Sequence, residues 1–240
     1  NRPDKRNALN EQVVSELKQA FAYAAEDIDA KVIVLAARGS AFCAGADLAY
    51  LQQLQKNTFE ENLADSNHLK ELFYQIYTHP KVVIAKIQGH AIAGGCGLAT
   101  VCDFSFTVQE AQFGYTEVRI GFIPAIVKVF LLRKIGEGKA KELLLSGDLI
   151  SAEEAKDFGL VNKVVGEDEL DGTVSDFAKK LVKKNSGQSM QFTKQMIAGV
   201  QEMSLEDGLN HAAEQNAKAR ASEDCQKGIS SFLNKEKPSW

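Results

Sequence analysis

Short apolar runs rich in β-branched residues alternate with stretches of helical spacing through the first two-thirds of the chain. Val32 to Ala36, Val82 to Ile87 and Phe104 to Thr107 read as strands. Between them, helices are predicted from about Leu48, over Asp65 to Tyr77, and briefly from about Gly95. Strands alternating with helices imply parallel crossovers, hence an α/β core. Beyond Pro124, which suits a first helical turn, the pattern turns helical and is interrupted by one β-branched run at Val161 to Val165. Ser151 with Glu154 forms a capping-box signature, and Phe177, Leu181 and Val182 share one face of a later helix. The expected organisation is an α/β core over residues 1–165 followed by a helical region over 166–240, with no linker or repeat between them.

Composition narrows the class. The 240 residues are 45% hydrophobic and 25% charged, which suits a globular protein with a good-sized core and excludes disorder and collagen. No apolar run approaches the roughly 20 residues of a membrane-spanning helix. A net charge of −4 argues against a general nucleic-acid binder. Cys43, Cys96, Cys102 and Cys225 form no C-x-x-C pair and are too sparse for a disulfide framework, so a reducing compartment is expected, the cytoplasm or an organelle matrix. The chain opens on Asn1 without Met, and an N-terminal segment is expected to precede it.

Candidate chemistry sits in two segments of small residues that follow the best strands. The first is Ala41-Phe42-Cys43-Ala44-Gly45-Ala46-Asp47-Leu48, and the second runs from Gly89 through Ala93-Gly94-Gly95-Cys96-Gly97 to Leu98. A small-residue turn feeding a helix exposes unpaired N–H groups at the positive end of the helix dipole. Two such turns meeting would make an oxyanion hole. Neither is a G-x-G-x-x-G or Walker sequence, which disfavours dinucleotides and triphosphates. On glycine content alone, close helix–strand packing is the favoured explanation.

Several ordered motifs together resemble the crotonase, or enoyl-CoA hydratase/isomerase, superfamily. They are Arg2-Pro3 with Asn7-Ala8-Leu9-Asn10, Phe42 to Leu48, Ala93-Gly94-Gly95-Cys96 with Cys102-Asp103, Phe113-Gly114-Tyr115-Thr116-Glu117 with Gly121 and Pro124, and Ala152 to Val165. The resemblance runs nearly end to end. It implies a spiral of repeated ββα-like turns with a helical C-terminal trimerisation region, lacking here the strand with which the family begins.

Carried over residue by residue, the resemblance implies that the backbone N–H groups of Ala46 and Gly94 hold the thioester oxygen of an acyl-CoA while an enolate forms. Ala44, Asp47, Leu48, Ala49 and Gly95 match the segments that bind substrate, and Glu117 matches one of the two catalytic glutamates of the hydratases. The other is replaced by Gly97. Hydration usually shares its proton transfers between two carboxylates, whereas moving a double bond needs one base. An isomerase therefore fits Glu117 alone, while glycine at 97 is expected to leave room for a water or an acid from another loop, keeping hydratase activity open. A branched-chain, methylglutaconyl-type hydratase is the alternative, with Arg119 meeting a distal carboxylate. A catalytically impaired scaffold of the same fold is another. Coenzyme A is expected only as part of the substrate, with no separate cofactor. The expected assembly is a homotrimer or dimer of trimers, in which Phe232 and Lys235 reach a neighbour's site; no nucleic acid or membrane partner is expected.

Other residues read plainly. His68, His79, His90 and His211 lack metal-ligand spacing, so no metal is expected. Arg119 suits a surface ion pair, Tyr115 and Tyr50 suit packing, Lys179, Lys180, Lys183 and Lys184 suit a solvated face, and Cys43 and Cys96 lack basic neighbours that would activate a thiolate.

Overall fold

Each turn of the chain lays one strand into each of two sheets and then returns through a helix. The computed structural model describes residues 1–240. After helix α1 (Glu11–Glu26), the first turn is β1 (Val32–Ala36), β2 (Ala41–Cys43), α2 (Leu48–Leu54) and α3 (Phe59–Tyr77). The second is β3 (Val82–Ile87), β4 (His90–Ile92) and α4 (Gly94–Val101). The third is β5 (Phe104–Val108), β6 (Gln112–Gly114), a 3-10 turn over Glu117–Ile120, and α5 (Val127–Ser146). Then come β7 (Ile150–Ser151), α6 (Ala152–Asp157), β8 (Lys163–Val165) and four helices, α7 (Glu167–Lys184), α8 (Gly187–Val200), α9 (Leu205–Arg220) and α10 (Glu223–Leu233).

The first sheet has the order β1-β3-β5-β8, parallel throughout, with Val32 opposite Val82 and Ile84 opposite Phe104. The second has the order β2-β4-β6-β7, with β2, β4 and β6 parallel and β7 antiparallel. A parallel sheet buried on both faces wants continuous apolar strands. β3 supplies one: Val83, Ile84, Ala85 and Ile87 are fully buried. Helix α4 is buried from Gly95 to Val101 and apolar all round, the pattern of a helix enclosed by protein. It lies against β2 only because residue 95 has no side chain, since a Cβ there would stand 2.1 Å from the Cys43 carbonyl oxygen.

The differences from the sequence reading have local causes. The two segments taken as loops begin with strands β2 and β4, whose three residues are too few to show a period. Helix α1 was not assigned. It buries Val14 and Phe21, and its polar side packs on α3, with Ser15 Oγ 3.0 Å from His68 Nε2 and Gln75 Nε2 donating to the Lys18 carbonyl. Helix α3 starts at Phe59, ahead of the expected Asp65, because Thr58 and Glu61 form a capping box. Pro124 precedes α5 and contributes a carbonyl that accepts from Lys128 N–H, and Gly136, at φ 75°, interrupts that helix. The last strand is Lys163–Val165, since Val161 N–H instead bonds Ala155 at the end of α6.

The expected Ser151–Glu154 capping box opens α6. Helix α7 buries Leu170, Val174 and Leu181 and sets Phe177 against the rings of Phe104 and Phe106, while Lys179, Lys180, Lys183 and Lys184 face water. Helices α9 and α10 contain no buried residue and expose Leu205, Leu209, Phe232 and Leu233.

Candidate active site

Strands β2, β4 and β6 run parallel side by side, so the turns that leave their carboxyl ends emerge together. These turns are Ala44–Asp47, Ala93–Gly95 and Tyr115–Glu117, and open parallel sheets place ligand sites at such an edge. The last two are tied by Ala93 N–H donating to the Gly114 carbonyl at 2.8 Å. The first two touch: a Cβ at Gly45 would lie 2.9 Å from Ala93 Cβ and 3.7 Å from Gly94 N. Gly45 holds φ 88°, open to glycine without strain, whereas Ala93 holds φ 51° with a side chain and so stores strain at the N-cap of α4.

Two backbone donors are left free by this geometry. Ala46 N–H finds no acceptor within the chain, and Ala46 is exposed. Gly94 is the first residue of α4, where an N–H has no intrahelical partner, and it is half-buried. The first turn is held from behind by the N-terminal segment. Leu9 N–H donates to the Gly45 carbonyl at 2.7 Å, Asp47 N–H donates to the Leu9 carbonyl at 2.8 Å, and Asn7 Nδ2 donates to the carbonyls of Arg38 and Ala41.

The substrate-segment residues separate into two groups. Ala44 is half-buried, and Leu48 and Ala49 lie exposed on the first turn of α2. Asp47 and Gly95 turn inward. Asp47 caps α2 through Ala49 N–H and accepts from Arg2 Nη2 at 2.8 Å, and that guanidinium holds its carboxyl below the usual range. Gly95 is spent on the approach of α4 to β2.

Glu117 opens the 3-10 turn after β6 and is half-buried. Its Oε2 is enclosed and engages no hydrogen-bond partner. Burial pushes its carboxyl above the ordinary carboxylate range, opposed by its own backbone N–H. The room expected at Gly97 is not there. A Cβ at that position would meet Val127 Cγ1 at 2.4 Å and the Phe73 ring at 3.1 and 3.2 Å, so hydrocarbon fills the space that a side chain at 97 would enter. Arg119 pairs with Asp148 at 2.5 Å on the surface, as a plain ion pair should.

The remaining candidates behave as packing residues. Tyr115 is fully buried and its hydroxyl lies 2.7 Å from Thr100 Oγ1. Burial pushes the Cys43 thiol up to about 11 and the Cys96 thiol up to about 12, far from a reactive thiolate. His79 Nδ1 accepts from Lys81 N–H, which leaves Nε2 to donate to the Phe21 carbonyl. Arg2, Asn7, Leu9 and Thr100 were given no role by the sequence reading. Their contacts are non-local, and the presence of the first three in the motifs carrying the resemblance was the available signal.

Comparison with known proteins agrees with this architecture. The sequence profile of the family described as Enoyl-CoA hydratase/isomerase matches residues 1–240. A putative enoyl-CoA hydratase of Thermus thermophilus is 42% identical over 99% of this chain and 94% of its own length. The crotonyl-CoA hydratase of Syntrophomonas wolfei is 33% identical over 100% of this chain and 92% of its own. The crystal structure of an enoyl-CoA hydratase from Mycobacterium smegmatis superposes with a TM-score of 0.93 at 32% identity, covering 100% of this chain and 92% of that one. By profile, relatives and fold, the chain belongs to the enoyl-CoA hydratase/isomerase family and has the crotonase fold.

Proposed function

We propose that the chain binds an acyl-CoA thioester and shifts a double bond between the β,γ and α,β positions, with Glu117 as the only proton carrier. One observation carries the reading: Glu117 is a solitary enclosed carboxylate with an unengaged Oε2, while Val127 and Phe73 fill the space that a side chain at 97 would enter. In this mechanism the thioester oxygen accepts from Ala46 N–H and Gly94 N–H. Glu117 takes a proton from the α-carbon, and the C–H electron pair passes through the Cα–C bond onto the oxygen as a dienolate. The same carboxyl then returns the proton to the γ-carbon. Each oxyanion donor contributes about 3 kcal/mol as the charge develops, and the raised affinity of Glu117 for its proton suits a base that must hold and release it.

Exposed Leu48 and Ala49 offer apolar contact to the coenzyme A part of the substrate, Ala44 and Gly95 shape the turns, and Asp47 fixes the first turn through Arg2. No separate cofactor or metal enters this chemistry. The exposed apolar residues of α9 and α10 support assembly as a trimer or a dimer of trimers.

Hydration of a 2-enoyl-CoA is the second reading, favoured because the Thermus and Syntrophomonas relatives are named as hydratases. Its branched-chain version loses support because Arg119, the cation it would use, is engaged by Asp148. A silent scaffold is disfavoured by the cost of keeping an unpartnered carboxylate buried. Turnover of 2-enoyl-CoA and 3-enoyl-CoA of several chain lengths decides between these readings. Isomerisation is expected to exceed hydration, and Glu117→Gln is expected to lower it by about 10² to 10⁴-fold while thioester binding persists. Brisk hydration without isomerisation would overturn the single-base mechanism.

A further inference from the structure

Glu117 has no side-chain partner, so its position must come from the backbone that carries it. Two contacts join that backbone to the helix that presents Gly94. One is at the sheet edge, where Ala93 N–H meets the Gly114 carbonyl at 2.8 Å. The other lies deeper, where the Tyr115 hydroxyl meets Thr100 Oγ1 at 2.7 Å, both side chains buried. The direction of this second bond follows from proton counting. Thr100 has one hydroxyl hydrogen and donates it to the Cys96 carbonyl at 2.9 Å, so Tyr115 is the donor to Thr100. The relay therefore runs Tyr115 to Thr100 to Cys96, from two residues before Glu117 to two residues after Gly94.

We infer that the Tyr115–Thr100 hydroxyl pair is a positioning device that sets the Glu117 carboxylate against the oxyanion helix α4. Two struts fix an angle as well as a distance, and a misplacement of the order of 1 Å between base and oxyanion donors costs rate steeply. Tyr115 takes no part as an acid or base, because burial holds its phenol well above the usual range and keeps it protonated. It acts through Glu117 and is a positioning residue. The relay also makes Thr100 more than filler, since a valine there would leave the buried Tyr115 hydroxyl only the weak Cys96 thiol as a partner.

This inference rests on the proposed use of Glu117, and its test has an arm that needs no turnover. Tyr115→Phe keeps the ring and removes only the hydroxyl, while Thr100→Ser keeps the relay and Thr100→Val breaks it. With 3-enoyl-CoA and 2-enoyl-CoA, Tyr115→Phe and Thr100→Val are each expected to lower kcat about 10-fold with KM within about twofold. Thr100→Ser is expected to stay near the parent, and the Tyr115→Phe/Thr100→Val double variant to lose little more than either single one. Independently, the Glu117 carboxyl is titrated by ¹³C NMR on glutamate-labelled protein, with Glu117→Gln assigning the resonance. A loosened turn admits water, so the carboxyl of Tyr115→Phe is expected to titrate lower than in the parent, toward the ordinary carboxylate value. If the parent turns over neither substrate, the proposed function fails while this titration still judges the inference. An unchanged Glu117 titration in a folded Tyr115→Phe protein, or a Thr100→Ser variant as impaired as Thr100→Val, overturns it.

Discussion

The two ends of α4 have opposite fates. At its amino end the Gly94 N–H is left without an intrahelical partner, beside the free N–H of Ala46 and a strained Ala93. Its carboxyl end faces ammonium groups. Lys134 Nζ donates to the carbonyls of Thr100 and Cys102 at 3.0 and 2.9 Å, and Asp103 accepts from Lys194 Nζ at 2.7 Å and from Val83 N–H. A helix has a positive amino end and a negative carboxyl end. Placing ammonium groups at the negative end while leaving the positive end bare keeps the backbone N–H groups of the amino end open to an anion. A cavity of about 860 Å³ opens beside the carboxyl end, between α5, α8 and Trp240.

That contrast can be broken from either side. The largest effect is expected from Lys194→Met, which strands the half-buried Asp103 carboxylate and the carbonyls of Ile76 and Lys81. Loss of one partner of such a pair costs about 3–5 kcal/mol, read as a lowered denaturation midpoint, with the per-molecule turnover of the folded fraction retained. Gly94→Pro acts in the reverse sense. Proline is accepted at a first helical position, and a Cβ there meets only Leu9 Cδ1 at 3.2 Å. Turnover is expected to fall about 10²-fold through loss of one donor, with thioester affinity measured by calorimetry changing far less. Lys134→Met uncovers two carbonyls at the far end and should cost about 1–3 kcal/mol of stability with little change in kcat.

The smallest effect sharpens the comparison through pH. Burial raises the Glu117 carboxyl, so the folded chain binds its proton more tightly than the unfolded chain does. Its contribution to stability therefore falls as pH rises from the ordinary carboxylate value through the raised one. Glu117→Gln is expected to be more stable than the parent at neutral pH by about 0.5–2 kcal/mol, a gain that shrinks on acidification. Thermal denaturation of both proteins between pH 4 and 8 measures it. An equal midpoint at every pH would mean that the carboxylate is solvated.

Much of this was readable in the sequence for reasons that differ between elements. β1 is a continuous apolar run, β3 is one broken only by Lys86, and α6 carries its own start signal, so each is specified by neighbours along the chain. The turns that carry Ala46, Gly94 and Glu117 were legible as candidates because their motifs are local and ordered. Strands β2, β4, β6 and β7 have two or three residues each, and pairing partners far along the chain define them. The filled space at Gly97 was invisible for the same reason, since Val127 and Phe73 come from helices distant in sequence. Tyr115 and Thr100 are fifteen residues apart and carry no motif that announces their bond.

The contact between positions 97 and 127 also bears on how this chain can change by descent. With Val127 Cγ1 lying 2.4 Å from where a Cβ at Gly97 would stand, a glutamate at 97 arriving first meets a wall. A smaller residue at 127 would open the space that a carboxylate side chain at 97 needs on that side. The two positions are thus sterically coupled, and the order of substitutions matters more than their number for placing a side chain at 97.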